Sequence, residues 1–156
     1  MDQNGAGAVI IFAWDTATKT ATLVREYNPG CHRVLGGLAA GLVEHGAKHE
    51  GGDPLVAAHH ELEEECHLGG GIWHRLTTRP IAMDKYVVTE ITAYLVLDAQ
   101  HVPNPKPLDA EEDIEIVRGV TVPEILEMIR QGDMNLVGAW ASLLAIEKLR
   151  DLGEIQ

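Results

Sequence analysis

The chain has 156 residues, 46% of them hydrophobic, enough for one domain around one buried core spanning residues 1–156. Its 12 Lys and Arg against 24 Asp and Glu give a formal charge of -12, a field that repels phosphate backbones and argues against nucleic acid as a bulk partner. Two cysteines, Cys31 and Cys66, are too few for a disulfide scaffold, and no apolar leader with a basic flank suggests export. The longest apolar stretches, 6–14 and 136–146, fall short of the roughly 20 residues of a bilayer span, so the expectation is a cytoplasmic protein without a membrane segment.

From the N-terminus, Ala8–Ala13 and Thr20–Val24 are β-favouring runs around a polar turn and predict a hairpin. Asn28-Pro29-Gly30 stops the second strand. Gly36, Gly37, Ala39, Ala40 and Gly41 then form a small-residue segment, read either as an ordinary tight loop or as a place where backbone approaches a ligand. The polar stretch 44–52 leads to Asp53-Pro54, an N-cap followed by proline at the first helical position. A helix is predicted from there through Cys66, with Gly69-Gly70-Gly71 as its stop.

Beyond the glycines, Ile72–Thr77 and Tyr86–Leu97 predict strands, His101–Asp109 a proline-rich loop, and Asp113–Val120 another strand. Pro123–Gln131 predicts a short helix broken by Gly132-Asp133. Leu136, Val137, Trp140, Leu143, Leu144 and Leu149 then repeat at helical spacing, predicting a C-terminal amphipathic helix. This mixed order favours an α+β fold with helices flanking a mixed sheet.

The segment richest in chemistry is His60-Glu61-Leu62-Glu63-Glu64-Glu65-Cys66-His67-Leu68. At roughly 100° per residue, Glu61, Glu64 and Glu65 share one helix face, Leu55, Leu62 and Cys66 lie on a core-facing stripe, and Glu63 points elsewhere. Carboxylates at i, i+3 and i+4 repel one another unless solvent or a cation sits among them, and as hard oxygen ligands they suit magnesium or manganese. Such an ion would also reconcile an acidic protein with a phosphorylated ligand. A generic Glu-rich helix is more often simply solvated.

The same nine residues resemble the second half of the Nudix box, REUxEExGU, matching its three glutamates and both aliphatic positions. Val24-Arg25-Glu26-Tyr27-Asn28-Pro29-Gly30 is similar to the VRQYRPG stretch of the ADP-ribose and nucleotide-sugar pyrophosphatase branch of that family. Leu38-Ala39-Ala40-Gly41-Leu42-Val43-Glu44 resembles its LPAGLVE segment. Residues 109–114 resemble the acidic loop that supplies a late glutamate, and 134–152 match the family's ending more loosely.

Departures from the pattern are specific. The glycine that opens the box is Gly41 by context, with about five residues inserted before Asp53, or Gly46 by strict spacing; the cheapness of loop insertions favours Gly41. The first glutamate position then falls on Ala47, or on Gly52 under strict spacing, with Glu50 a substitute only if the loop folds back. His60 replaces the arginine that holds the neighbouring carboxylates, offering one donor where arginine offers five. His67 replaces the terminal glycine, and Asn28 the arginine of YRPG.

The resemblance implies a Nudix-like α/β/α sandwich that hydrolyses the pyrophosphate bond of a small nucleoside-diphosphate compound, ADP-ribose or a nucleotide sugar, with Mg2+ or Mn2+. It places Glu61, Glu64, Glu65 and the Ala40 carbonyl as metal ligands. Glu64 and Glu112, or its neighbour Glu111, are the catalytic carboxylates. Arg25, then Arg33, are the phosphate contacts and Tyr27 a base contact; Trp140 also qualifies, although aromatics at such positions are more often core. Branch members carry an extra N-terminal segment that helps them dimerise, so a homodimer is left open.

Two other functions follow from the departures and the histidines. A catalytically weakened Nudix-like domain would bind a nucleotide sugar as sensor or regulator. A transition-metal site built from His45, His49, His59, His60, Cys66 and His67 has little support, since position 64 is not the histidine an HExxH motif needs. P-loop and GxSxG patterns are absent.

Overall fold

The first strand, β1 (Gly7–Asp15), divides the molecule: Ile10, Phe12 and Trp14 enter one core while Val9, Ile11 and Ala13 enter another. Such alternation, apolar on both faces, marks a strand covered on both sides. The computed structural model describes residues 7–44, 52–108 and 113–156. Within them β1 pairs in parallel with β8 (Glu90–Leu97) and antiparallel with β2 (Thr20–Asn28), inside a mixed sheet of order β10-β2-β1-β8-β6, where β6 is Ile72–Arg75 and β10 Ile114–Val120. One face carries α1 (Pro54–Cys66); the other carries α2 (Val122–Arg130) and α3 (Leu136–Asp151). The architecture is α+β, as expected. No helix among the described residues is long and apolar enough to cross a membrane.

The β1–β2 hairpin splits. The two strands pair only near their turn, from Ala13↔Thr22 to Asp15↔Thr20, and then diverge. Into the gap rise β3 (Arg33–Gly37), paired with β2, and β4 (Ala39–Leu42), which descends antiparallel to β1 after a bend at Leu38. The small-residue segment expected as a loop is therefore two short strands. Local composition hides this because glycine and alanine carry little strand propensity, while pairing with β1 and β2 supplies the hydrogen bonds.

Gly36 and Gly37 do permit a close approach, but of the protein's own chain. Gly36 N–H donates to Asp133 O at 2.8 Å, Asn135 N–H donates to Gly36 O at 3.1 Å, and a Cβ on Gly37 would collide with the Asn135 amide. The start of α3 thus lies directly on β3, and a Cβ on Gly138 would come within 3.3 Å of the Gly37 Cα. This contact also decides which face of α3 is buried. Gly138, Ala141, Ser142 and Ala145 are inside with Ile146 and Leu149, whereas Leu136 and Leu143, part of the apolar repeat that predicted the helix, are 82% and 48% exposed. Small residues let the helix approach the sheet; leucines there would hold it off.

Helix α1 begins where expected, with the Asp53 carboxylate accepting the Leu55 N–H at 2.9 Å and Pro54 at the first turn. Leu62 and Cys66 are buried beside Ala57 and Ala58, but Leu55, expected in the core, is exposed in the first turn, ahead of the part of the helix that meets the sheet. The helix ends at Cys66, as expected, but its cap is not a glycine. His67 takes the left-handed conformation, φ 58°, and its N–H returns to Glu63 O at 3.0 Å. Gly70 and Gly71, also at positive φ, turn the chain after the two-residue β5 (Leu68–Gly69), which pairs with β9 (Gln100–His101). The strand expected from Tyr86 begins only at Glu90; Tyr86 is 86% exposed, and the preceding segment has just the two-residue β7 (Ile81–Ala82) on β8.

A side chain at left-handed φ costs about 1 kcal/mol that glycine avoids. His67→Gly is accordingly expected to stabilise the protein by about 1 kcal/mol, read as a higher midpoint in thermal or urea denaturation. An unchanged or lower midpoint would show that the imidazole contributes a contact worth the strain.

Candidate functional site

The site begins with the direction of the β4 backbone. Val43 N–H donates to Gly7 O at 2.8 Å, so counting inward along the register makes Gly41↔Val9 a hydrogen-bonded pair and Ala40↔Ile10 a non-bonded one. Ala40 therefore turns both its N–H and its carbonyl away from β1, into the gap between β3 and β4. Glu65 of α1 reaches this edge, its Oε2 accepting the Ala40 N–H at 2.8 Å. One turn earlier, the Glu61 carboxylate lies against Gly41 in space that a Cβ at Gly41 would occupy.

Glu61, Glu64 and Glu65 are 7%, 7% and 6% exposed, on a protein whose other Asp and Glu among the described residues all lie at least partly in solvent. The arrangement read from helical spacing is thus not a solvated acidic face: the helix turns these carboxylates inward, toward the gap. Among the described residues no three His, Cys, Asp or Glu side chains come together in a group that could by itself hold a metal ion. What Glu61 and Glu65 offer is two carboxylates abutting the Ala40–Gly41 backbone, hard oxygen donors of the type that suits a divalent ion taking its remaining ligands from elsewhere.

Several contacts fix the helix that carries these groups. Arg118 of β10 donates to Cys66 O at 2.8 Å, satisfying a C-terminal carbonyl of α1 with a cation where the helix dipole favours one. Glu63, on a different face as expected, accepts the Lys106 N–H at 3.0 Å and ties the proline-rich loop to α1. That loop leads to Glu111 and Glu112, which lie outside the described residues, as do His45, Gly46, Ala47, His49 and Glu50.

A cavity of about 260 Å³ opens on the gap, with Ala40, Gly41 and Leu42 on one wall and Glu26, Leu38 and Met83 among the others. Glu26 is a functional candidate that the sequence reading passed over in favour of its neighbours Arg25 and Tyr27. Strand alternation carries the signal, because Glu26 shares a face with Val24, which packs toward α1, while Arg25 and Tyr27 share the opposite one. Partial burial raises the Glu26 carboxyl above the usual carboxylate range.

The expected phosphate and base contacts, Arg25, Arg33 and Tyr27, do not line this cavity. Arg25 lines a separate cavity of about 430 Å³ with Glu124, Glu127 and Asp133. Arg33 bridges to Asp133 at 3.2 Å and donates to Gly132 O at 3.0 Å. The Tyr27 hydroxyl is 3.3 Å from His32 Nδ1, and Asn28 turns its amide back to Glu26 O at 2.9 Å, spending it on its own strand. Nor do the described histidines build a transition-metal site: the His59 ring packs on Trp73 at 4.2 Å, and burial, reinforced by Glu65 and opposed by Arg118, pushes the Cys66 thiol up to about 12.

No protein-family model matches this chain, and no curated protein matches it in sequence. Its fold does have relatives among solved structures, where 170 chains match. A crystal structure of an ADP compounds hydrolase superposes with a TM-score of 0.77 over 96% of this chain and 75% of that one, at 23% sequence identity. The likeness establishes a shared fold.

Proposed function

We propose that this protein is a Nudix-type pyrophosphohydrolase that uses Mg2+ or Mn2+ to cleave the diphosphate link of a nucleoside-diphosphate compound, with ADP-ribose or a nucleotide sugar favoured. The observation that carries the reading is the burial of Glu61, Glu64 and Glu65 on one helix, with Glu65 bonded to Ala40 and Glu61 lying against Gly41. Burying one carboxylate among apolar neighbours is costly, and gathering three is sustained by hydrogen bonds and cations rather than by packing. The motif resemblance and the fold shared with an ADP compounds hydrolase support the same reading.

Glu61, Glu64, Glu65 and the Ala40 carbonyl would hold the ions. When bound, these ions neutralise the diphosphate oxygens and lower the pKa of the attacking water. The chain's own part is positional. Glu65 is oriented by the Ala40 N–H, Glu61 is admitted by the missing side chain of Gly41, and Glu64 is buried on the same helical face, next to Glu61. Glu64 or Glu112, with Glu111 beside it, would take the proton from water; Arg25, Arg33 and Tyr27 are retained as substrate contacts to test. A domain that binds without turnover is the second reading, favoured by Asn28, whose amide serves its own strand where the resembling sequences carry a cation.

Purified protein with Mg2+ or Mn2+ is expected to release AMP from ADP-ribose, or sugar monophosphate from nucleotide sugars, and to stop when EDTA is added. Glu64→Gln and Glu65→Gln should each lower kcat by at least about 100-fold, the scale on which positioned proton transfer and charge stabilisation act. Turnover untouched by both substitutions refutes the site; binding without turnover selects the second reading.

Gly41→Ala separates the site from the fold. The new methyl would displace only the end of a flexible glutamate, so the melting temperature should change little. Activity should still fall by about 100-fold, because small misplacements of a catalytic group are that costly. Parallel losses of stability and activity would contradict this account.

A further inference from the structure

The cavity at the Ala40–Gly41 edge does not end there. Its walls Met83, Ile91 and Val137 also belong to a second cavity of about 260 Å³, which runs between β7 and the first turns of α3 and is otherwise lined by Ile81, Ala82, Leu136 and Trp140. No charged or hydrogen-bonding side chain other than the Trp140 indole lines this second stretch. On a chain of net charge -12, it forms an apolar trough continuous with the cavity at Ala40–Gly41, the backbone that Glu61 and Glu65 contact without lining either cavity. Trp140 packs one side against the core and is half-buried, while Leu136 at 82% and Met83 at 44% exposure form an open rim.

We infer that this trough is the nucleobase subsite: it receives the planar base of the nucleoside diphosphate, stacked or edge-on against Trp140, while the diphosphate lies at the Ala40–Gly41 edge. The inference rests on the function proposed above and adds the direction in which substrate lies. A diphosphate-linked compound has a charged centre and two ends, and these ends differ in how they tolerate an apolar wall. Sugar hydroxyls buried against Ile81, Met83 and Val137 would lose water without gaining partners. A heteroaromatic base gains from the same wall, since its faces are apolar and its polar edge can stay at the open rim, and it is the end that an indole can hold. The base end therefore enters the trough and the sugar end points away from it. Leu136 and Met83, apolar and exposed with no core role to explain them, cover the base.

The test separates this subsite from the reaction by measuring binding of products, which needs no turnover. AMP, which carries the base, and ribose 5-phosphate, which lacks it, are titrated calorimetrically into wild type, Trp140→Leu and Leu136→Asp. Leu136 is so exposed that its substitution leaves the fold intact even if the Trp140 variant is destabilised. AMP is expected to bind wild type more tightly than ribose 5-phosphate, and each substitution to weaken AMP by about tenfold, the scale of one base–aromatic contact. Ribose 5-phosphate affinity should not move. Equal affinity of wild type for the two ligands, or AMP affinity unchanged in both variants, overturns the inference even if ADP-ribose is hydrolysed. Failure of wild type to hydrolyse any diphosphate, with AMP still bound through Trp140 and Leu136, overturns the enzymatic reading and leaves the subsite standing. Light scattering covers the remaining occupant: a dimer that Leu136→Asp converts to monomers with AMP affinity unaltered would make the trough a subunit interface and overturn the proposal.

Discussion

The contact on which the rest of the site depends is the meeting of a helix side and a strand edge: Glu65 on the Ala40 N–H, and Glu61 in the space left by Gly41. It requires three things together. The strand must present its polar edge to the helix rather than to a neighbouring strand, the helix must turn carboxylates rather than leucines toward that edge, and one residue of the strand must lack a side chain. Each is met by a different part of the chain. The split hairpin exposes the β4 edge, the i, i+3, i+4 spacing aligns the acids, and Gly41 provides the room.

The supporting structure holds that contact from both faces. Beneath the sheet, α3 comes close because Gly37 and Gly138 nearly touch, and the Asn135 side chain caps the helix, accepting the Gly138 N–H at 2.7 Å. Above it, α1 is fixed at its C-terminal end by Arg118 and by the left-handed turn at His67. These rigid elements set where carboxylates and backbone meet, which is what a precise metal or phosphate site requires. The apolar trough between β7 and α3 arises from the same packing. Because α3 buries its small residues, its bulky Leu136 and part of Trp140 are left on the side facing the cavity.

How far this was legible in the sequence depends on whether the signal was local. The α1 boundaries followed from Asp53-Pro54, and the carboxylate face from helical geometry, since both are set within a few residues. Strands β3 and β4 were missed because Gly36, Gly37, Ala39 and Ala40 have no β signature; their strand character comes from partners elsewhere in the chain. The α3 helix was legible from its spacing, but not that Leu136 and Leu143 stay exposed, because hydrophobic spacing cannot report that a glycine on a distant strand admits the alanine side of the helix instead. Glu26 was overlooked in favour of a conspicuous arginine and tyrosine, although alternation from Val24 marks its face. Glu111 and Glu112 lie outside the described residues.

The central claim is that the gap between α1 and β4 is a divalent-cation site, and the most direct measurement is an anomalous difference map from crystals grown with Mn2+. The account predicts manganese density at the Glu61 and Glu65 carboxylates beside the Ala40 carbonyl, absent in crystals of Glu61→Gln/Glu65→Gln protein that retains the wild-type fold. Manganese found only at surface carboxylates, with this gap empty at saturating metal, would contradict it.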